Sequence, residues 1–398
     1  MIKFIKGGSS RVRTFDDLFL CENLIGDSTQ KVLLPYIHET KSLMDTAISK
    51  YDKNGYANII PAFDLGFSYN VGRLAGGFTT GMVVDWHCDV PFVPIDITLK
   101  ECSGSVIKLS NCENPLKSFN AKNISKALAK LKNEGFFFNF NSGNHFISLF
   151  KDKHETYYLV VHSGDDSYRN RETGVYPVKD VWYENEIHTL YNKDKTRYLK
   201  YLVGAPAQRF IEFALSNRAN VASFHNALAG RIFSQLDNDF TCSTYQHYGL
   251  HSEHTAVLGA GLVPRGSVYP IFSNQGLPIL IVSSSPDMWS LEIDEKEYYV
   301  FPHGWGQEIK DVTAIYNNLD KDCFNIECGN SFISEKIDYS NKLSKNVACV
   351  RTLNNYMELV DGKITFERVW NNEFYACVQK VLYPVATYIN KNQQIIIY

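Results

Sequence analysis

The chain has 398 residues, of which 44% are hydrophobic and 14% aromatic, so it is long enough to bury a sizeable core in one large domain or two ordinary ones. Its nine cysteines form no Cys-x-x-Cys pair, which excludes a disulfide framework and indicates a reducing, cytoplasmic compartment. The net charge of −3 excludes nucleic-acid binding through overall positive charge, and no stretch holds the roughly 18 apolar residues of a membrane span.

The first half of the chain mixes short strand-like and helical patterns. The N-terminal residues lack the long apolar stretch of a signal peptide, and residues 41–49 have a helical pattern. Residues 57–110 alternate apolar, strand-like runs with glycine turns. In residues 122–134, lysines recur around apolar positions at helical spacing. This pattern predicts an amphipathic helix with a basic, solvated face.

The second half continues the irregular alternation. Apolar residues alternate around Phe146, and residues 157–161 form another strand-like run that leads directly into His162. The longest helical pattern covers residues 207–235. Further strands are predicted at 279–282 and 298–301, and the tail mixes an amphipathic stretch with a terminal strand at 395–397. Without a βαβ period or a glycine-rich phosphate loop, the sequence predicts one α+β domain over residues 1–398, with mixed β-sheets flanked by helices.

Several histidines stand at the ends of apolar runs and beside glycine. His145 follows Gly-Asn, His162 precedes Ser-Gly, and His303 precedes Gly-Trp-Gly. A side chain at the end of a buried strand has a rigid support, which metal ligands and catalytic groups need. Taken singly, each of these residues is more often a core or turn histidine than a ligand.

A carboxylate and a thiol accompany the histidines. Asp85 and Cys88 stand three residues apart, just after an apolar run. Imidazole suits zinc, copper, iron and nickel, whereas a carboxylate favours a harder ion such as manganese and a thiolate a softer one. One aspartate, one cysteine and three histidines are enough to hold two divalent ions that share the thiolate. Spacing alone leaves open which three of the histidines take part.

Short motifs over residues 55–390 resemble, in the same order, those of the RtcB family of RNA ligases, the tRNA-splicing ligases that use GTP and manganese. The order of several motifs together is more specific than any one of them. The matching stretches are Asp85-Trp86-His87-Cys88 after Gly76-Gly77, Gly143-Asn144-His145-Phe146, His162-Ser163-Gly164, Ala214-Leu215-Ser216-Asn217-Arg218, His247, Pro264-Arg265-Gly266-Ser267, Gly276-Leu277-Pro278-Ile279-Leu280-Ile281 and His303-Gly304-Trp305-Gly306-Gln307.

The resemblance implies a mechanism and a set of partners. His303 would attack the α-phosphate of GTP to give a histidine–GMP intermediate. Two Mn²⁺ ions would be held by the predicted metal ligands Asp85, Cys88, His145, His162 and His247. The guanylyl group would pass to an RNA 3′-phosphate, derived from a 2′,3′-cyclic phosphate, and the 5′-hydroxyl of a second RNA would attack that end. The resemblance also allows for an activating protein. The residues that would contact nucleotide or phosphate are Asn144, Ser283, Ser284, Gly304, Gly306 and Arg265, with Arg169, Asn217 and Arg218 as further phosphate clamps.

The chain departs from the family pattern at several positions. The aspartate that orients the nucleophilic histidine falls on Ala62, and Asp64, two residues on, is its candidate replacement. A glutamate near the nucleotide falls on Ser148, a phosphate-binding arginine on Gln307 and a base-contacting lysine on Ile389. These departures leave two alternatives to ligation open: a protein that binds RNA ends without joining them, and a metal-dependent phosphoesterase.

Overall fold

The computed structural model describes residues 3–6, 9–11, 26–110, 112, 114–140, 145–233, 242–272, 274–284, 290–344, 347–352, 358–360, 363–365 and 374–398. Within these ranges, helices and many antiparallel strands interleave irregularly, which confirms the α+β class. None of the helices in this part of the chain is both long enough and apolar enough to cross a membrane. The single-domain organisation stays a prediction.

The helices are α1 (Ser28–Ile48), α2 (Val71–Ala75), α3 (Pro115–Ser118), α4 (Ala121–Asn133) and α5 (Ala205–Ile232). Polar side chains cap the start of α1 and α4, whereas the longest helix, α5, begins after Gly204 without a side-chain cap. The Asp27 carboxylate accepts the backbone N–H of Gln30 before α1, and the Asn120 side chain accepts that of Asn123 before α4. The amphipathic helix predicted at 122–134 is confirmed as α4, and the longest predicted helix is α5. The pattern at 41–49 is only the last part of α1, which begins at Ser28.

The strands range in length from two residues to sixteen. In the first half of the chain they are β1 (Lys3–Lys6), β2 (Ser9–Arg11), β3 (Tyr56–Gly66), β4 (Thr80–His87), β5 (Phe92–Pro94), β6 (Cys102–Lys108), β7 (Phe138–Asn139), β8 (Phe146–Lys151), β9 (Tyr157–Asp165), β10 (His188–Tyr191) and β11 (Tyr198–Val203). In the second half they are β12 (Cys242–Ser252), β13 (Thr255–Leu258), β14 (Ala260–Pro264), β15 (Val268–Ile271), β16 (Ile279–Ser284), β17 (Ser290–Ile293), β18 (Lys296–Pro302), β19 (Trp305–Glu308), β20 (Val312–Asn318), β21 (Cys323–Cys328), β22 (Ser331–Lys336), β23 (Cys349–Thr352), β24 (Glu358–Val360), β25 (Lys363–Thr365), β26 (Phe374–Ile389) and β27 (Gln394–Ile397). Short 3₁₀ turns cover Glu184–Glu186 and Leu319–Lys321.

The largest sheet has 14 strands and brings distant parts of the chain side by side. Its main path runs β15-β16-β26-β8-β9-β6-β12-β13-β4-β3, with β7, β24, β25 and β27 paired along it. In its centre, His162 of β9 lies opposite Phe146 of β8 on one side and Gly104 of β6 on the other. Next, Cys102 of β6 lies opposite Tyr248 of β12. The smaller sheets are β14-β18-β17-β1-β2, β10-β11-β5, β19-β23 and β20-β21-β22.

Helix α5 packs over this central part of the sheet. Its Phe224 and Leu228 are buried in one cluster with Leu159 and Val161 of β9. The ring of Phe138 stacks on the ring of Phe224, with 3.7 Å between their centroids. Complete burial of an apolar side chain of this size contributes about 1.5–3 kcal/mol. The helix therefore holds β9 and its neighbours in a fixed place.

The tail differs from its sequence pattern. The amphipathic stretch before the terminal strand is the long strand β26, which pairs with β16 along one part and with β8 along another. A strand inside a sheet can be apolar on both faces at different points, so its pattern is easily taken for a helical one. The terminal strand predicted at 395–397 is confirmed as β27.

Candidate active site

Four neighbouring strands carry the residues of the candidate metal centre. His145 directly precedes β8, His162 lies on β9, Cys102 opens β6 and His247 lies on β12. Because β8, β9, β6 and β12 are adjacent in that order, side chains on one face of this region converge. All four residues are buried.

The donor atoms of these residues lie within contact of one another. The Cys102 Sγ is 3.2 Å from the His145 Nε2, 3.6 Å from the His162 Nε2 and 3.2 Å from the His247 Nε2. The His162 and His247 Nε2 atoms are 2.8 Å apart. Cys102 and His162 thus belong to two overlapping groups of three, one completed by His145 and the other by His247. Buried nitrogen and sulfur donors that face each other in this way are the arrangement that a cation fills.

Burial sets the protonation state of the cluster. It lowers the pKa of His145 to about 3 and holds the pKa of His162 and of His247 well below the ordinary value. The neighbouring imidazoles lower the pKa of His162 and His247 further. The three imidazoles are therefore neutral near pH 7, and each keeps a nitrogen lone pair. Burial also raises the pKa of the Cys102 thiol to about 12, a shift that a bound cation would reverse because metals bind the thiolate. Three imidazoles and one thiolate fit a borderline first-row divalent cation such as Zn²⁺, because this cluster has, among the described residues, no carboxylate of the kind that favours Mn²⁺.

The structure places Asp85 and Cys88, two of the predicted ligands, away from this cluster. Asp85 is buried on β4, where its carboxylate accepts the Thr255 hydroxyl of β13 at 2.9 Å, and burial raises its pKa to about 6. Cys88 follows β4 and is half-buried against an apolar core. Strand β13 lies between β4 and β12, so the end of β4 is not next to His247. Among the described residues, neither side chain joins a metal-ligand group with the three histidines.

Cys102 is the thiol that the sequence reasoning missed. It lies on β6, the strand between the one with His162 and the one with His247. The local signal was the run Cys-Ser-Gly-Ser, because small residues in a strand mark a close approach. A Cβ at Gly104 would lie 2.1 Å from the Phe272 ring, and that ring stacks 5.2 Å from His162.

Two outer networks hold the ligand strands together. The buried His225 of α5 contacts the Ser105 Oγ through Nδ1 and the Ser163 Oγ through Nε2, each at 2.7 Å. The Glu101 carboxylate accepts the Gln246 amide N–H at 2.8 Å and so ties β6 to β12 beside both Cys102 and His247. Burial raises the pKa of Glu101 to about 8. These contacts hold the residues adjacent to the candidate ligands in place. The sequence did not indicate the role of His225 or of Glu101.

A buried histidine–aspartate pair borders the cluster. His303 follows β18, and its Nδ1–H donates to the Asp64 Oδ2 at 2.8 Å. The same oxygen accepts the backbone N–H groups of His303 at 3.1 Å and of Gly304 at 3.2 Å. Because an ionised carboxylate can only accept, the proton sits on Nδ1 and the lone pair on Nε2. The His303 ring stacks 5.8 Å from the His247 ring, so the pair and the cluster are neighbours.

Gly304 and Gly306 let this segment approach Asp64. Gly304 has a φ of 116°, which favours glycine. A Cβ at Gly306 would lie 2.7 Å from the Asp64 backbone oxygen. Both glycines therefore contact Asp64, the residue that holds His303 in place.

The other predicted nucleotide contacts have different partners. Arg265 is exposed and donates to the Glu297 carboxylate at 2.8 Å. The Ser283 Oγ accepts the Gln379 amide N–H at 2.8 Å, and Ser284 ends β16 beside it. Asn144 lies outside the described residues. Within the described chain, none of these side chains has a contact with the cluster or with His303.

Three further candidates and one departure can also be placed. Arg169 lies over the Tyr176 ring at 4.7 Å, Asn217 is buried inside α5, and Arg218 donates to the His251 backbone oxygen at 3.2 Å. Ser148, where the resemblance expects a glutamate, is fully buried on β8 and shares a 2.7 Å hydrogen bond with Thr387 of β26. Its side chain is therefore part of the sheet core.

Comparisons of the chain with models of protein families, with curated proteins and with solved structures found no match.

Proposed function

We propose that this protein is an RtcB-like RNA ligase, which joins RNA ends with a 2′,3′-cyclic phosphate or 3′-phosphate to RNA ends with a 5′-hydroxyl. The observation that carries the proposal is the buried His303–Asp64 pair beside a cluster of three histidines and one thiol. A nucleophilic imidazole next to a cation site suits transfer of a nucleotidyl group, because the imidazole attacks the phosphorus and the cation neutralises the charge of the phosphate oxygens.

His303 acts as the nucleophile in this proposal. Its Nε2 forms a bond to the α-phosphorus of GTP as the bond to the leaving pyrophosphate breaks. Asp64 holds the proton on Nδ1 and compensates the positive charge that the ring gains. The two backbone N–H groups on the same carboxylate oxygen keep Asp64 in place during this step. The RNA 3′-phosphate then attacks the phosphorus of the histidine-bound GMP, and His303 leaves. The 5′-hydroxyl of the second RNA attacks the activated 3′-phosphate, and GMP leaves.

Cys102, His145, His162 and His247 would hold the divalent ions, with Cys102 in the position first assigned to Cys88. Bound there, Mn²⁺ would neutralise charge on phosphate oxygens and so favour attack by a neutral nucleophile. Four donor atoms from the protein are enough for one ion. A second ion would share only the Cys102 thiolate, because each imidazole nitrogen has one lone pair, and water or phosphate oxygens would complete the coordination. Two ions per chain are proposed, and metal analysis of the purified protein measures their number.

Incubation with α-labelled GTP and Mn²⁺ tests the proposal. We expect covalent label on the wild type and none on His303→Ala, whereas Arg265→Ala, a change at an exposed ion pair, keeps the label. Labelled protein should then join RNA ends of the stated chemistry. Absence of label on the folded, metal-loaded wild type would refute the ligase.

The alternatives have their own outcomes in the same assay. The burial of Ser148 and the Glu297 pairing of Arg265 remove two expected nucleotide contacts, which favours a protein that binds RNA ends without joining them as the second candidate. Release of phosphate from RNA ends without covalent label supports a metal-dependent phosphoesterase instead. Tight binding of RNA ends with neither label nor phosphate release supports a binding protein.

A further inference from the structure

The segment Asp85–Asp89 contributes to a second cluster of charged side chains, distinct from the cysteine–histidine centre. His87 ends β4 and lies opposite Tyr56, the first residue of β3. The turn between α1 and β3 contains Asp52, so this pairing brings Asp52 next to the end of β4. Asp52, His87 and Asp89 each offer one ligand atom, and the three atoms all lie within 4.8 Å of one another.

The Asp52 carboxylate is the unusual member of this cluster. Its side chain is only 3% exposed. The Oδ1 atom accepts the backbone N–H of Asn54 at 2.8 Å. The Oδ2 atom is buried, and no hydrogen-bond donor of the described residues reaches it; the His87 Nε2 is 3.9 Å away. A buried carboxylate oxygen without a partner is costly, and a cation between it and the two exposed ligands removes that cost.

The backbone around the cluster is held rigidly. A Cβ at Gly55 would lie 2.8 Å from the His87 carbonyl oxygen and 3.0 Å from the Asp52 Oδ2, so only glycine allows the turn to approach β4 this closely. The His87 ring stacks on the Tyr56 ring at 5.8 Å, with 24° between the planes. His87 lies on a strand and its ring is stacked, so this ligand loses little order when the ion arrives.

We propose that Asp52, His87 and Asp89 bind a divalent first-row cation, Zn²⁺ or Mn²⁺, at a peripheral site. Two carboxylates and one imidazole suit these ions, and the exposed side leaves room for water to complete the coordination. The ion links the turn after α1 to the end of β4, so it stabilises the edge of the large sheet where β3 and β4 pair. This role is structural and does not depend on the chemistry proposed for His303.

Zinc and manganese binding by the full-length chain, stripped of metal and then titrated, tests this site. The double variant His87→Ala/Asp89→Asn removes two exposed ligands. The matched control is His254→Ala/Asp294→Asn, which makes the same two changes at another exposed histidine–aspartate pair, 3.2 Å apart. We expect the first variant to bind one ion fewer per chain than the wild type and the control to bind as many as the wild type.

Asp52→Asn provides an independent check, because it keeps the shape of the buried side chain and removes its charge. It should also lose one ion and the rise in melting temperature that the ion produces. Equal ion content in the wild type, in Asp52→Asn and in the His87/Asp89 variant, all folded by circular dichroism, would overturn the proposal. Guanylyl labelling of His303 should not change in these variants, so failure of this site and failure of the ligase proposal are separate results.

Discussion

Replacing Asp64 with asparagine separates the fold from the proposed chemistry. The Oδ2 atom of Asp64 accepts three N–H groups, and an amide oxygen in its place keeps all three hydrogen bonds. The amide NH₂ must then occupy the position of Oδ1, which is buried and has no hydrogen-bond partner among the described residues. A buried polar group without a partner costs about 1–3 kcal/mol, but the wild-type Oδ1 is also unpaired within the described chain, so one unsatisfied group replaces another. We therefore expect Asp64→Asn to change the stability by less than that amount and to fold.

The effect on His303 should be much larger than the effect on stability. The ring gains positive charge as its Nε2 bonds to phosphorus, and in the wild type a carboxylate 2.8 Å from Nδ1 compensates that charge. Opposite charges with centres about 4 Å apart attract by about 4 kcal/mol at an effective dielectric constant of about 20. Loss of this attraction corresponds to a roughly 10³-fold slower transfer of label from α-labelled GTP.

Asp85→Asn is the matched control for this experiment. Asp85 is also a buried aspartate of the large sheet, but its partner is the Thr255 hydroxyl and it lies outside the His303 pair. We expect Asp85→Asn to be labelled at nearly the wild-type rate and to keep its metal. If Asp64→Asn is labelled within tenfold of the wild-type rate while it remains folded, the reasoning about the pair is refuted. If Asp85→Asn loses metal instead, Asp85 is a ligand and its placement outside the cluster is wrong.

Three further predictions concern the cluster and its surroundings. Cys102→Ala should weaken metal binding at the centre at least about tenfold, whereas Cys88→Ala should not; metal analysis after dialysis distinguishes them, and equal loss in both would contradict the assignment of the thiol. Burial lowers the pKa of His225 to about 3, so the folded protein keeps this ring neutral where the unfolded chain would protonate it. The free energy of unfolding therefore falls as the pH decreases from 6.5 toward 3, by up to about 1.4 kcal/mol per pH unit. Urea unfolding of the metal-free protein over that range should show a smaller loss in His225→Asn, and an unchanged slope would exclude this source. Ser148→Glu should cost more than about 3 kcal/mol because it buries an unpaired charge beside Thr387, and a melting temperature equal to that of the wild type would show that the position is open to solvent.

The histidines of the site were predictable because each has a local signal. His145 and His162 stand at the two ends of strand-like runs, and His303 stands before two glycines. A side chain at such a position has a fixed direction, and these positions can be recognised in the amino-acid sequence without the structure. Asp64, the candidate replacement for the aspartate that falls on Ala62, does contact His303. A regular alternation of faces does not explain this two-residue shift, because the pairing of β3 with β4 is irregular between Pro61 and Gly66.

The thiol was not predictable because its position depends on strand order. Cys88 and Cys102 both lie near the ends of apolar strands, and Cys88 also has a carboxylate three residues away. Only the sheet shows that β6 lies between β9 and β12, whereas β13 separates β4 from β12. The spacing of residues in the sequence does not indicate which strands will be neighbours in the sheet when those strands are far apart along the chain. The peripheral cluster has the same origin, since Asp52 meets His87 only through the pairing of β3 with β4.

The order of β8, β9, β6 and β12 also has a consequence for biosynthesis. Cys102 emerges from the ribosome long before His247, and its strand must wait for β12, which ends at Ser252, before all four donors are present. Non-local pairing of this kind is slow compared with helix formation. An ion bound at this candidate centre would therefore be captured late, because a nascent chain that ends before His247 lacks one of the four donors.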